Sequence, residues 1–208
     1  MSHITKHIYI SADYDPIDGD LDVVKAIKSW GIDNLHSTNF IDLSDPRANN
    51  VIRDIPDCRI CDIKSEFNRQ ISASSFVLFI VGRKTKDRQA ESHCNRCIQP
   101  QCICRCTPYQ KNFLGAIPCK VPSITESCDG HVGCINSYSY LEHEFLETIS
   151  VKRNNQIAIF YNSFYHQESW LPCYMKDYKG IAEPFWVRSP TGNKIGCYTR
   201  LKEFLINV

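Results

Sequence analysis

Six consecutive residues, Phe76-Val-Leu-Phe-Ile-Val81, carry no polar side chain and run directly into Gly82. A strand with one wet face alternates apolar and polar residues, whereas a run without alternation belongs to a strand covered on both faces. Ile157-Ala-Ile-Phe-Tyr161 is a second such run, beginning just after Gln156. A shorter β-rich segment, His7-Ile-Tyr-Ile10, ends in the polar stretch Ser11 to Pro16 and reads as the first strand. Strands covered on both faces need helices to cover them, and the intervening segments have that character. Leu21, Val24, Ile27 and Trp30 recur at helical spacing between Asp20 and Gly31, which marks the stop. Ile63, Phe67 and Ile71 lie four apart in a helix predicted over Ile63 to Ala73. Leu141, Phe145 and Ile149 set a stripe on a helix over Tyr140 to Val151, and Leu201, Phe204 and Leu205 set one over Tyr198 to Ile206. Leu35 to Leu43 reads as a second strand, Ser44 to Asp62 as loop, and Glu183 to Val187 as a short final strand. Strand and helix alternate, so the expected fold is α/β with a central, mostly parallel sheet flanked by helices. Ligands of such sheets bind beyond the carboxyl ends of the strands, here Ser11–Asp15, Asn39–Ser44, Gly82–Thr85 and Asn162–Tyr165.

The chain is 208 residues long, which suits one domain of ordinary size. With 43% hydrophobic and 23% charged residues it can bury a core, which excludes a disordered chain. The net charge is +1, so no charge excess marks a nucleic-acid or membrane-surface binder. No apolar run approaches the roughly 20 residues of a membrane helix. The polar start, Met1 to Lys6, lacks the pattern of a signal peptide, so the expected compartment is the cytoplasm.

Twelve cysteines stand out against this composition. Eight fall in one stretch: Cys94, Cys97, Cys102, Cys104, Cys106, Cys119, Cys128 and Cys134. Stable disulfides are rare in a reducing compartment, so metal ligation is the leading reading of such density. Thiolates suit zinc, whose structural sites take four ligands. Cys94-Asn-Arg-Cys97 is a knuckle, Cys102-Ile-Cys104-Arg-Cys106 is tighter, and His93 and His131 are spare nitrogen donors. The competing readings are disulfides in an oxidising setting and reactive surface thiols. No ferredoxin spacing is present to favour an iron–sulfur cluster. Cys58 and Cys61 form a separate CxxC, and Cys173 and Cys197 are expected to be small buried residues. The stretch from Lys86 to Ser137 has little periodicity and is long for a loop, so it reads as a Cys-rich insertion after the third strand.

The helix over Tyr140 to Val151 carries Glu142, Glu144 and Glu147. At roughly 100° per residue, Glu147 points away from the Leu141–Phe145–Ile149 stripe and Glu142 lies near it. Glu144 lies on the flank, one turn after Tyr140, where it can edge a cleft. A glutamate on an amphipathic helix is ordinarily a solvated side chain, so periodicity alone does not make Glu144 functional.

Three short segments carry a resemblance. Tyr9-Ile-Ser-Ala-Asp13-Tyr14-Asp15 resembles the first-strand motif F-I-S-F-D-Y-D of the TIR-like proteins of bacterial Thoeris antiphage systems. Phe79-Ile-Val-Gly-Arg-Lys-Thr85 is similar to their third-strand ending, hydrophobic-VG-x-K-T. Tyr140-Leu-Glu-His-Glu144-Phe145 is similar to the TIR helix motif W-V-x-x-E-I, which carries the glutamate of NAD-cleaving TIR domains. Tyr140 stands where the family usually has Trp, and the insertion separates Thr85 from the following helix. The match puts Glu144 at the catalytic position, since choosing Glu142 sets Ser139 and His143 at apolar positions.

The resemblance implies a flavodoxin-like TIR fold acting on NAD as substrate. It implies cleavage of the nicotinamide–ribose bond to make an ADP-ribose-derived signal, which activates a separate effector protein. A phage-derived trigger and self-association are the other partners to expect. The bond breaks through a cationic, oxocarbenium-like transition state, which an anionic Glu144 would stabilise. Tyr9, Tyr14 and Tyr140 are candidates to frame the nicotinamide, against ordinary packing. Asp13 and Asp15, with Ser11 beside them, are candidates for the ribose, against capping of the turn. Arg83 and Lys84 are candidates for the pyrophosphate. No GxGxxG fingerprint supports hydride transfer. His143 points roughly 100° from Glu144 and is assigned no catalysis. Three alternatives remain open: a non-catalytic TIR interaction module, a nucleoside deoxyribosyltransferase-like enzyme, and a zinc-finger-like nucleic-acid binder. The insertion opposes the last, because Arg96, Arg105, Lys111 and Lys120 exceed Glu126 and Asp129 by only two.

Overall fold

The structure is a computed structural model and describes residues 6–13, 20–31, 38–42, 67–88, 103–104, 117–118 and 139–206. The elements in chain order are β1 (Lys6–Ala12), α1 (Asp20–Gly31), β2 (Thr38–Asp42), α2 (residues 67–73) and β3 (Phe76–Val81). Two short strands follow, β4 (Ile103–Cys104) and β5 (Ile117–Pro118). The rest are α3 (Tyr140–Val151), β6 (Ile157–Tyr161), β7 (Ala182–Pro184), β8 (Trp186–Arg188), β9 (Lys194–Gly196) and α4 (Tyr198–Ile206). Turns of 3-10 helix cover Thr85–Asp87, Glu168–Trp170 and Cys173–Ile181.

The chain divides into two compact units. The first holds Met1–Ser44, Gln70–Arg88 and Phe145–Val208. It contains a five-stranded sheet in the order β2-β1-β3-β6-β7, with every neighbouring pair parallel. That order is the doubly wound one of flavodoxin-like sheets, and it reverses direction between β1 and β3. All six side chains of β3 and all five of β6 are buried, as their unbroken apolar runs require.

One face of the sheet presents Ile8, Ile10, Phe76, Leu78, Ile80, Ala158 and Phe160. Val23, Val24 and Ile27 of α1, and Leu201 and Leu205 of α4, pack into the same cluster. Each of these aliphatic side chains contributes roughly 1.5–3 kcal/mol on full burial, so the helix stripes hold the sheet. Alternation turns Tyr9, Val77, Phe79, Ile159 and Tyr161 to the other face. There Phe145 of α3 meets Phe79 at 5.3 Å between ring centroids, and the Cys173–Ile181 turn adds Tyr174 and Tyr178 around Phe145. At the amino ends of the strands, Lys152 Nζ donates to the carbonyls of Ser74 and Ser72, at 2.6 and 3.2 Å, where α2 ends. Gln156 Nε2 donates to Ser75 O at 3.1 Å.

The final segment differs from the expected single strand over Glu183 to Val187. Pro184 is the last residue paired with β6; Phe185 N–H still donates to Tyr161 O at 2.9 Å, and the Phe185 side chain turns fully into the core. Trp186 then starts a separate antiparallel pair, β8–β9, joined by a turn in which Gly192 takes φ 82°. Both lone thiols also differ from the expectation of burial: Cys173 is exposed and Cys197 half-buried. Each sits at the edge of an element, Cys173 opening the 3-10 turn and Cys197 just before α4.

The second unit holds Asp45–Arg69 and Gln89–Glu144. It contains the antiparallel pair β4–β5, in which Cys104 pairs with Ile117. By residue number it takes in the Cys-rich stretch from Gln89 onward together with Cys58 and Cys61.

Candidate functional site

The carboxyl ends of β1 and β3 lie side by side, with Ser11 opposite Phe79 and Ala12 opposite Ile80. This is the point where the strand order reverses and where doubly wound sheets open a crevice. Beyond β3 the chain turns sharply. Gly82 N donates to Thr85 Oγ1 at 2.8 Å, and Thr85 N donates back to Gly82 O at 3.3 Å. Thr85 is thereby buried, while Arg83 and Lys84 at the turn's crest are exposed. Arg88, just past the turn, reaches Asp13 at the end of β1, Nε to Oδ2 2.6 Å.

A buried carboxylate completes this end of the sheet. Asp20, the first residue of α1, is 1% exposed. Its Oδ1 accepts from Asn162 Nδ2 at 3.1 Å, and Asn162 Oδ1 accepts from the Trp186 indole N–H at 2.7 Å. Asn162 itself is fixed by its backbone N–H to Val81 O, 2.9 Å. A Cβ on Gly82 would overlap Asp20, coming within 2.8 Å of Cγ. Glycine at 82 is therefore demanded by the carboxylate, and threonine at 85 by the turn.

Ser139 immediately precedes helix α3, and its Oγ accepts from Glu142 N at 3.3 Å. Ser139 and Glu142 stand in the spacing of a capping box, so Glu142 belongs to the helix start. The buried stripe of α3 is Leu141, Glu144, Phe145 and Thr148, and Ile149 is 36% exposed. The expected Leu141–Phe145–Ile149 stripe is thus rotated: at roughly 100° per residue the four buried residues share a sector of ~100° that excludes Ile149. Glu144 is accordingly no flank residue and is only 5% exposed. An ionised carboxylate so covered needs partners to offset its lost hydration. His143 Nε2 donates to Asn68 Oδ1 at 2.6 Å, which gives that ring a local partner. Tyr140 meets Phe67 edge-on at 5.8 Å. Glu147 is partly covered, and burial raises its pKa.

Of the sequence-predicted residues, Ser11, Asp13, Arg83 and Lys84 gather around the β1 and β3 ends. Tyr9 points into the core at 1% exposure, where its ring packs. Tyr14 and Asp15 lie outside the described residues, as do Cys94, Cys97, Cys102, Cys106, Cys119, Cys128 and Cys134, while Cys104 is described in the backbone pairing of β4. Among the described residues no group of His, Cys, Asp or Glu is arranged to hold a metal ion. Sequence reasoning missed Asp20, Trp186 and Arg88, and named Asn162 only as the start of a strand-end segment. The signal for Asn162 was available, since it follows an apolar strand, but the partnership of residues 20, 162 and 186 depends on the sheet.

These features define a doubly wound α/β protein with a polar site across the ends of β1 and β3. Comparison with protein-family models, with curated proteins and with solved structures finds no match to this chain. No described helix is long and apolar enough to cross a membrane.

Proposed function

We propose that the chain is a TIR-type enzyme that cleaves the nicotinamide–ribose bond of NAD and releases an ADP-ribose-derived signal for a separate effector in antiphage defence. The observation that carries this reading is the adjacency of the first- and third-strand motifs. Asp13 and the Gly82–Thr85 turn, far apart in sequence, follow adjacent parallel strands at the reversal point of the sheet, where nucleotide ligands of such folds bind, and Asp13 reaches Arg88 just past the turn. Glu144, the residue at the family's catalytic position, has the covered setting in which a negative charge acts most strongly on a developing cation. Nicotinamide leaves as a neutral molecule with the electron pair of the broken bond, so no strong general acid is needed. The motif match, rather than a contact, assigns Glu144 to stabilise the ribosyl cation until water or another nucleophile captures it, and assigns the exposed Arg83 and Lys84 to the pyrophosphate.

The test is incubation of purified protein with NAD, with nicotinamide followed by chromatography, for wild type and Glu144→Gln. Release from wild type and a loss of at least about a hundredfold in the variant is expected. Equal release from both removes Glu144 from the mechanism. Release from nucleosides in place of NAD favours a deoxyribosyltransferase-like enzyme. Silence on every substrate, with and without infected-cell extract, leaves the interaction-module reading.

A further inference from the structure

The Asp13–Arg88 ion pair joins the two strand ends that frame the crevice. Asp13 follows β1 directly and Arg88 follows the turn after β3. Their 2.6 Å contact is between Arg88 Nε and Asp13 Oδ2, with the arginine side chain 42% exposed and the aspartate 22%. The guanidinium therefore meets solvent while its acid is more covered. The segment around it is strongly cationic: Arg83, Lys84, Lys86 and Arg88 against Asp87 alone, an excess of three over residues 83–88. Arg83, Lys84, Lys86 and Arg88 are all exposed, and Lys86 Nζ leans on Ser169 O at 3.4 Å.

We propose that Arg88 is a diphosphate-binding residue that Asp13 holds in reserve. Partly exposed pairs of this kind contribute little to stability, because solvent and salt screen them. A guanidinium with a diphosphate makes paired, charge-assisted hydrogen bonds, and the neighbouring cations add to the attraction. Exchange of Asp13 for a diphosphate thus favours the ligand. It also uncovers the Asp13 carboxylate at the end of β1, where it can accept hydrogen bonds from sugar hydroxyls. One ligand carrying both groups satisfies both halves of the pair, whereas a sugar without a diphosphate meets an Asp13 already engaged. The inference rests on the NAD reading for the whole ligand, and on the ion pair and the surrounding charge for the diphosphate itself.

The experiment is calorimetric titration of the intact protein with inorganic pyrophosphate at low salt, for wild type, Arg88→Ala, Arg88→Lys and Asp13→Asn. Melting curves establish that each variant is folded. Arg88→Ala is expected to weaken binding about tenfold or more, with Arg88→Lys between it and wild type. Asp13→Asn is expected to tighten binding severalfold, because the internal competitor is gone. That gain is one a merely structural clamp would not produce. Unchanged affinity in Arg88→Ala overturns the assignment, and an Asp13→Asn protein that binds no tighter than wild type overturns the reserve role. Pyrophosphate binding is read without NAD turnover, so a protein that behaves as described here yet releases no nicotinamide counts against the enzyme reading alone.

Discussion

Tyr161 is wholly buried at the carboxyl end of β6, and its hydroxyl makes no hydrogen bond to another described residue. Burial, reinforced by the negative charge of Glu168, raises its pKa. A hydroxyl left in that state costs about 1 kcal/mol or more, so Tyr161→Phe is expected to stabilise the fold by roughly 1 kcal/mol. Urea denaturation measures it, and a destabilised variant means the hydroxyl has a partner worth keeping. Glu147 gives a second test at this scale. Burial raises its pKa in the fold above the ordinary value of about 4.3, so the folded state prefers the protonated form. Wild type and Glu147→Gln should then have the same relative stability below about pH 4. As pH rises through the raised value, wild type bears the cost of a partly covered charge and falls behind the variant. Melting temperatures across pH 3.5–7 check this, and parallel curves oppose it. Glu142 belongs to the helix start and Glu147 is a half-covered acid, whereas Glu144 is buried on the stripe that also holds Leu141, Phe145 and Thr148.

Between elements, the decisive contact is the close approach of α1 to the end of β3. Gly82 has no side chain, and the space is taken by the Asp20 carboxylate, itself held by Asn162 and through it by Trp186. Gly82→Ala pushes on a buried charge and on the start of α1 together, so a loss of about 2 kcal/mol or more is expected. Chemical denaturation gives the number, and a variant as stable as wild type means the Asp20 arrangement adjusts freely. The periodic signal read most elements well because their stripes coincide with burial: α1, α3 and α4 begin where expected, and β3 and β6 are the two unbroken apolar runs. It set the wrong phase on α3, since Glu144 and Thr148 face inward and Ile149 outward. Apolar spacing cannot place a polar residue inside a core. The same limit hid the break at Phe185, because a strand that leaves one sheet for another keeps its apolar character throughout.

For the molecule as a whole, the zinc reading of the cysteines makes its own prediction. Purified protein should carry one or two zinc ions, since eight thiolates fill at most two four-ligand sites. Chelation should lower its melting temperature, because binding energy in a structural site is folding energy. Elemental analysis that finds no zinc, with melting unmoved by chelator, excludes the reading. The sequence by itself determined the α/β class, the two fully covered strands and the helices over them, because burial on both faces leaves an unbroken apolar run and burial on one leaves a 3.6-residue period. It also placed polar segments directly after β1 and β3. Only the tertiary structure decided the order β2-β1-β3-β6-β7 and which strand ends are neighbours. From that order come the pairing of Asp13 with Arg88 and of Asp20 with Asn162, contacts between residues 75 and 142 positions apart. No local pattern encodes them, because they exist only once the crossover helices have packed and the sheet has closed its register.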